Sequence, residues 1–321
     1  MKTNKIFLLA LALVVATGTS VWLTKNSQVQ DVVSLPLLGD FEDQLAVLQT
    51  ISIRSRDAVA FSAEQVDNQW YATHLSEVDS FPVNIDALSV FIGQLNQAKL
   101  LEAKTQNVNL YARLGVEDLI VENSQSRSLL LQTSNSNFEL IIGNDSSNGL
   151  GTFVRSPDSK QSWQIDRVLN LPSDQFSWLK NPVLDMTADD ITRAELQGDE
   201  GWVIANQDND FGLAGLQQTD DLIYPSVLAN TISSILATSY ERATPAASVQ
   251  LPESVVATLF LESEKGPLTI RVYSADEQHW VTYATDQHAW LSNWVFSISE
   301  SSKAGLVKSR SDFMQQTVVS D

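Results

Sequence analysis

Histidine and acidic side chains are the groups in this sequence that could support a metal site. The three histidines are His74, His279 and His288. His279 and His288 fall in neighbouring predicted strands, close enough in sequence to meet in space. The carboxylates that could complete such a site are Asp276, Glu277 and Asp286. The simpler interpretation places both histidines at exposed turns beside acidic residues, and we therefore expect no metal and no cofactor.

A second acidic group, Asp185, Asp189 and Asp190, lies where we predict a link between two halves of the chain. Two carboxylates held close together in a buried site can act as general acid and general base. Carboxylates can also bind Ca²⁺, but this stretch lacks the alternating ligands of an EF-hand loop. The interpretation we favour is a capped helix start or a solvated link.

Aromatic residues are concentrated near the C-terminus, at Trp280, Tyr283, Trp290 and Trp294. Exposed aromatic rings on a sheet can stack on sugar rings or on a partner protein. Because alternate residues of a strand share a face, Trp290 and Trp294 would point the same way. These four residues are the predicted binding platform, and the competing interpretation places them in the core.

Sequence motifs for catalysis are missing. The sequence has no G-x-S-x-G elbow, no G-x-x-x-x-G-K-[ST] loop and no G-x-G-x-x-G after a predicted strand. It also has no cysteine, which excludes disulfides, thiolate metal sites and cysteine nucleophiles. We therefore expect a protein that is not an enzyme.

Length and charge limit the possible organisation and partners. A chain of 321 residues is typical of two domains, and 43% hydrophobic residues can bury a core in each. The 39 acidic residues outnumber the 20 basic ones, which gives a net charge of -19. A field of this sign repels phosphate backbones, so nucleic acid is not an expected partner.

The N-terminus predicts export to or across a membrane. Lys2 and Lys5 precede residues 6–23, which carry no charge and are about long enough to span a bilayer core as a helix. We predict a single-pass anchor in a bacterial inner membrane (residues 1–24), a tether (25–43) and a C-terminal bulk in the periplasm. The alternative is a signal peptide cleaved near Ala16-Thr17-Gly18, with secretion to the periplasm.

The remaining chain alternates between strand and helix patterns. Residues 44–182 predict short alternating strands around one helix, for which Asn84 is the N-cap and Leu88, Phe91 and Leu95 form part of the apolar face. A short helix over 172–180 is expected to close this unit. Turn residues between the strands, such as Asn148-Gly149, predict hairpins.

Residues 183–321 repeat the same order of elements. Trp70 matches Trp202, and later strands match at a separation of about 130 residues with little drift. The predicted fold class is therefore α+β, with two similar tandem units. Each unit would be an antiparallel meander sheet with one main helix and a short closing helix.

The order of several short motifs resembles the bacterial domain of unknown function 4340 family. These motifs are "QWYAT", the helix "IDALSVFIGQL", "LYARLGVED" with Tyr111 and Gly115, "FELIIG" with Gly143, and "GTFVRS". Members of that family look like membrane-anchored envelope proteins, often encoded beside an ABC transporter of the gliding-motility type. The resemblance implies no catalytic residue.

Two functions follow as expectations from these observations. The first is a non-enzymatic, membrane-anchored periplasmic accessory or scaffold protein that contacts an ABC transporter permease or another envelope protein. The second is a periplasmic ligand- or glycan-binding module that uses the C-terminal aromatic residues.

Overall fold

A computed structural model describes residues 35–76, 80–208, 210–216 and 221–315. Two antiparallel sheets with a small number of helices make up this part of the chain, in agreement with the predicted mixture of helix and sheet. The predicted anchor at residues 6–23 lies outside the described residues. Within them, no helix is both long enough and apolar enough to span a bilayer.

Nine strands of the described residues form the first sheet. They are β1 (Leu48–Arg54), β2 (Val59–Val66), β3 (Gln69–Ala72), β4 (Phe81–Pro82), β5 (Leu100–Ala103), β6 (Arg127–Thr133), β7 (Asn137–Asp145), β8 (Thr152–Arg155) and β9 (Ser162–Ile165). Their order across the sheet is β4-β3-β2-β1-β6-β7-β8-β9-β5. The antiparallel pair β1 and β6 lies inside the sheet, and the other strands are added on either side of it.

The second sheet contains eight strands within the described ranges. They are β10 (Ile191–Leu196), β11 (Trp202–Gln207), β12 (Asp210–Leu213), β13 (Arg242–Pro245), β14 (Ala257–Ser263), β15 (Gly266–Ala275), β16 (Gln278–Thr285) and β17 (Trp294–Ile298). Their order is β12-β11-β10-β14-β15-β16-β17-β13. This sheet also grows outward from a central antiparallel pair, β10 and β14.

Helices carry the chain from one edge of each sheet to the other. The α-helices in the described ranges are α1 (Phe41–Gln44), α2 (Ile85–Gln97), α3 (Val227–Leu236) and α4 (Glu300–Leu306). In the first half, α2 connects the edge strand β4 to the opposite edge strand β5; in the second, α3 connects β12 to β13. At about 1.5 Å per residue, the 13 residues of α2 and the 10 residues of α3 extend about 20 Å and about 15 Å, so the loops beside each helix make up the rest of the crossing.

Local sequence explains where α2 begins and which face it buries. The Oδ1 atom of Asn84 accepts a hydrogen bond from the Ala87 backbone N–H at 3.1 Å, which confirms the predicted N-cap. Leu88, Phe91 and Leu95 recur at helical spacing and are at most 2% exposed. Their burial contributes to one hydrophobic core that extends through both sheets.

Three elements differ from the predictions. Residues 175–178 form turns, so the predicted closing helix of the first half is absent, whereas α4 follows the last strand of the second half. Residues 100–103 form β5, a strand that the sequence pattern did not predict. Residues 289–296 do not form one strand, because a 3₁₀ segment (Ala289–Asn293) precedes β17.

The predicted match of Trp70 with Trp202 is wrong by one strand. On β11, Trp202 pairs with Leu196 of β10, as Phe61 of β2 pairs with Ile53 of β1. Trp70 is on β3, one position further from the centre of its sheet. Trp202 is 3% exposed and donates a hydrogen bond from Nε1 to the Lys308 carbonyl at 2.8 Å, so it is a core residue.

Phe81 joins the two sheets through an aromatic cluster. It belongs to β4 at the edge of the first sheet and is fully buried. Four rings from the second half surround it, with centroids 5.0 to 6.2 Å away: Tyr240, Trp290, Trp294 and Phe296. The geometry is edge-on or tilted, which is the favourable arrangement for aromatic pairs.

We expect Phe81→Ala to lower the free energy of unfolding by about 3 to 5 kcal/mol, because it removes a buried ring and leaves a cavity. Urea unfolding followed by tryptophan fluorescence measures this loss. The control is Val66→Ala on β2, where the side chain is 45% exposed; its effect should stay within about 0.5 kcal/mol. Equal unfolding midpoints for the two variants would contradict the role of Phe81.

Candidate binding surfaces

Among the described residues, the histidines do not form the metal site considered above. His279 is 7% exposed, so the expectation of an exposed turn is wrong for this residue. Its Nε2 lies 2.5 Å from a carboxylate oxygen of Glu300 on α4, and its Nδ1 lies 2.8 Å from the Ser274 hydroxyl. In the described part of the chain, no group of three or more His, Asp or Glu could hold a metal ion.

The acidic group at the link caps a 3₁₀ segment (Ala188–Asp190), which agrees with the interpretation we favoured. A carboxylate oxygen of Asp190 accepts hydrogen bonds from the backbone N–H and the hydroxyl of Thr187, and another lies 3.0 Å from Lys265 Nζ. The Thr187 N–H, followed by Lys265, holds the pKa of Asp190 below its usual value. Asp185 instead pairs with Lys180, so the carboxylates do not converge.

The four predicted platform residues do not share an exposed face. Tyr283 is 3% exposed and Trp294 is fully buried, and both belong to the core. Burial raises the pKa of the Tyr283 phenol well above its usual value. Trp280 points to the outer face of the second sheet, whereas Trp290 lies in the 3₁₀ segment before β17. The predicted platform is therefore corrected to two separate half-buried tryptophans.

Residues from three of the motifs behind the family resemblance converge on the outer face of the first sheet. Residues 104–126 connect β5 to β6 and bring Tyr111 and Val116 against Ile141, where all three are at most 4% exposed. Phe153 of β8 packs against the same cluster. The connection therefore covers this face with a small second core.

Arg155 fastens this connection to β8. Its side chain is 4% exposed, its Nε donates to the Val116 carbonyl at 3.0 Å, and its guanidinium lies 4.7 Å from the Tyr111 ring centroid. It also pairs with Asp118 and donates to the carbonyls of residues 156, 157 and 159. A buried cation with this many acceptors is satisfied, so its role is structural.

Gly143 allows the same connection to approach the sheet closely. A Cβ atom at this position would lie 2.2 Å from the Leu114 carbonyl oxygen and 2.7 Å from a Val116 methyl carbon. No side chain tolerates such distances without movement of the backbone. The sequence motifs therefore encode the docking of residues 104–126, which the pattern alone did not reveal.

Among the described residues, no connection of this length covers the outer face of the second sheet. The link from β13 to β14 spans 246–256, which is about half as long as residues 104–126. Trp280 precedes the buried Val281 on β16, as Phe153 precedes the buried Val154 on β8. Among the described residues, no second buried cluster forms around Trp280.

This face carries three aromatic side chains, Phe260, Tyr273 and Trp280, which we call the aromatic row: Phe260 lies opposite Thr269 on β15, and Tyr273, with Trp280 opposite it, lies four positions further along β15. Phe260 is 36% exposed, and Tyr273 lies directly opposite Trp280 across β15 and β16. Arg271, on the same face of β15, is exposed and makes no hydrogen bond or ion pair within the described ranges. The face therefore offers aromatic area beside an unpaired cation.

A cleft of about 540 Å³, the junction cleft, lies between the two halves. The lining residues are Asn68, Gln69, Trp70, Tyr71, Pro82, Val83, Ile85, Lys180, Asp185, Gln287, His288 and Trp290. Its volume is within the range typical of small-molecule sites, about 300 to 1,000 Å³. The sequence singled out Trp290, His288 and Asp185 for other sites but did not predict the cleft, because its lining comes from three separate parts of the chain.

Tight turns and packing position the aromatic side chains of the junction cleft. Asp67 and Asn68 adopt φ of 48° and 64° and reverse the chain between β2 and β3, which brings Trp70 to the cleft. On the opposite side, Trp290 packs edge-on against Phe81 with a centroid distance of 5.1 Å. The same aromatic cluster that joins the sheets therefore holds one wall of the cleft.

Comparison with known proteins gives a single kind of match. A family model described as domain of unknown function (DUF4340) matches residues 70–248. This range includes α2, the connection over 104–126, and the junction-cleft residues Trp70, Tyr71, Pro82, Val83, Ile85, Lys180 and Asp185. No curated protein and no solved structure matches the chain.

The close approach at Gly143 predicts that alanine substitutions at Gly143 and at Gly93 change stability in opposite directions. Gly143→Ala should lower the free energy of unfolding by about 1 to 3 kcal/mol, because the added methyl overlaps the Leu114 carbonyl. The matched control is Gly93→Ala in the middle of α2, where a Cβ meets nothing within 4 Å. This change should raise stability by up to about 1 kcal/mol. Thermal unfolding checks both, and a stabilised Gly143→Ala variant would contradict the close approach.

Proposed function

Because the chain belongs to the domain of unknown function (DUF4340) family, we propose that it is a non-enzymatic accessory or scaffold protein of the bacterial envelope. Its folded part would lie in the periplasm, held at the inner membrane through residues 6–23. Its partner would be an ABC transporter permease or another protein of an envelope complex. The support comes from the charge-free N-terminal segment, the family resemblance and the surfaces of the folded part.

The aromatic row is the observation that carries this proposal. Aromatic side chains that remain accessible on a sheet face can serve as contacts for another molecule. Tyrosine, tryptophan and arginine are also the residues that contribute most to the energy of protein interfaces. Trp280 with Tyr273 and the neighbouring Arg271 has this composition. The partner surface would supply aliphatic groups for the rings and a carboxylate for Arg271.

We also propose that the two sheets descend from one duplicated unit. The support is the equal order of strands around β1/β6 and β10/β14, with a helix crossing from edge to edge in each. After duplication, the first unit would have kept the covering connection fastened by Arg155. The second unit, with its shorter link, would have left the aromatic row free for a partner.

The alternative of a glycan-binding module loses its predicted platform, because Tyr283 and Trp294 are buried. Of the four platform residues, only Trp280 lies on the outer face of the second sheet, where it is opposite Tyr273. A ligand site must therefore be sought elsewhere in the fold.

Co-purification from membranes tests the proposed partner contact. The full chain, expressed in its native host and extracted in mild detergent, should retain a membrane protein partner. Trp280→Ser should lower the partner's recovery by about tenfold or more, since a central interface tryptophan contributes at least about 2 kcal/mol. The control is Val66→Ser on the first sheet, which should leave recovery unchanged. Purification of the wild-type chain alone, without a membrane partner, would contradict the proposal.

A further inference from the structure

We propose that the junction cleft is a binding site for a neutral saccharide, in which a sugar ring stacks on Trp70 or Trp290 and its hydroxyls bond to the flanking amides. The proposal does not depend on the aromatic row, which lies on the outer face of the second sheet. It assigns a ligand class to a site formed jointly by both halves of the chain.

The aromatic side chains of the cleft supply the apolar part of this recognition. Trp70, Tyr71 and Trp290 line it and are each half-buried, so part of every ring is accessible to a ligand. The apolar C–H faces of a pyranose ring pack well on such flat surfaces, as other apolar groups do on tryptophan and tyrosine. Trp290 is held in place by Phe81, so it would not need to be ordered on binding.

Polar side chains of the cleft supply the hydrogen-bonding part of this recognition. Asn68, Gln287 and His288 line the cleft, and within the described ranges their side chains make no hydrogen bond to another residue. An amide offers two donors and one acceptor oxygen, and a neutral imidazole offers one donor and one acceptor. Sugar hydroxyls both donate and accept, so they match groups of this mixed kind.

The charged residues of the cleft limit which classes of ligand could bind there. Lys180 and Asp185 are the lining residues with a full charge, and they pair with each other. A phosphate or carboxylate ligand would need a cation that is free to pair with it. An acyl chain would also fit the lining poorly, since six of its twelve residues carry amide, imidazole or charged side chains. A neutral, hydroxyl-rich ring satisfies both conditions.

Tryptophan fluorescence of the full chain, titrated with maltotriose, cellotriose and the N-acetylglucosamine trimer, tests the assignment. At least one trisaccharide should give a saturable change at micromolar to millimolar concentration. Trp70→Ala should weaken that binding about tenfold or more, and so should Gln287→Ala, a surface change that leaves the core intact. Calorimetry reads the affinity of the tryptophan variants without relying on their fluorescence.

Trp280→Ala is the matched control, because it removes a half-buried tryptophan outside the cleft and should leave sugar affinity unchanged. The absence of saturable binding to all three sugars would overturn the proposal. Sugar binding that is as strong in Trp70→Ala and Gln287→Ala as in the wild-type chain would overturn it too. If the cleft variants instead abolish recovery of a membrane partner and no sugar binds, the cleft is a protein contact. Loss of the partner in Trp280→Ser with sugar binding intact would separate the two proposals.

Discussion

The insertion of Phe81 among rings of the second half is the interaction on which the arrangement of the molecule depends. It brings an edge strand of the first sheet into contact with the segment before β17 and so makes two sheets share one core. The Trp294 Nε1 donates to the Ser80 carbonyl at 3.3 Å and fixes the orientation of this contact. The junction cleft lies beside this contact, since Trp290 both packs against Phe81 and lines the cleft.

The outer faces of the two sheets differ in how far the chain covers them. On the first sheet, a buried arginine with carbonyl acceptors holds a long connection over Ile141 and Phe153. On the second, the corresponding link is short and the aromatic row stays accessible. Covering a sheet face costs chain length and conformational entropy, which the burial of apolar side chains repays. A sheet face that the chain does not cover remains available for contact with another molecule.

Local patterns predicted the central strands and the main helices well. Alternation places Ile51 and Ile53 in the core, and Asn84 marks the start of α2 because a side-chain cap is a local interaction. The edge strand β5 was missed because "LLEA" has no alternation and pairs on one side with a strand about 60 residues away. The junction cleft was missed for the same reason, since its walls are distant in sequence.

The sequence by itself determined the strand and helix periodicity, the family, the acidic surface and the lack of thiol chemistry. These properties depend on residue type and on neighbours a few positions away. The tertiary structure alone decided which aromatic residues are accessible: Trp294 and Tyr283 became core, Trp280 stayed on an open face, and Trp290 became a wall of the cleft. The physical reason is that burial of a side chain depends on what packs against it, and here that includes residues from the other half of the chain.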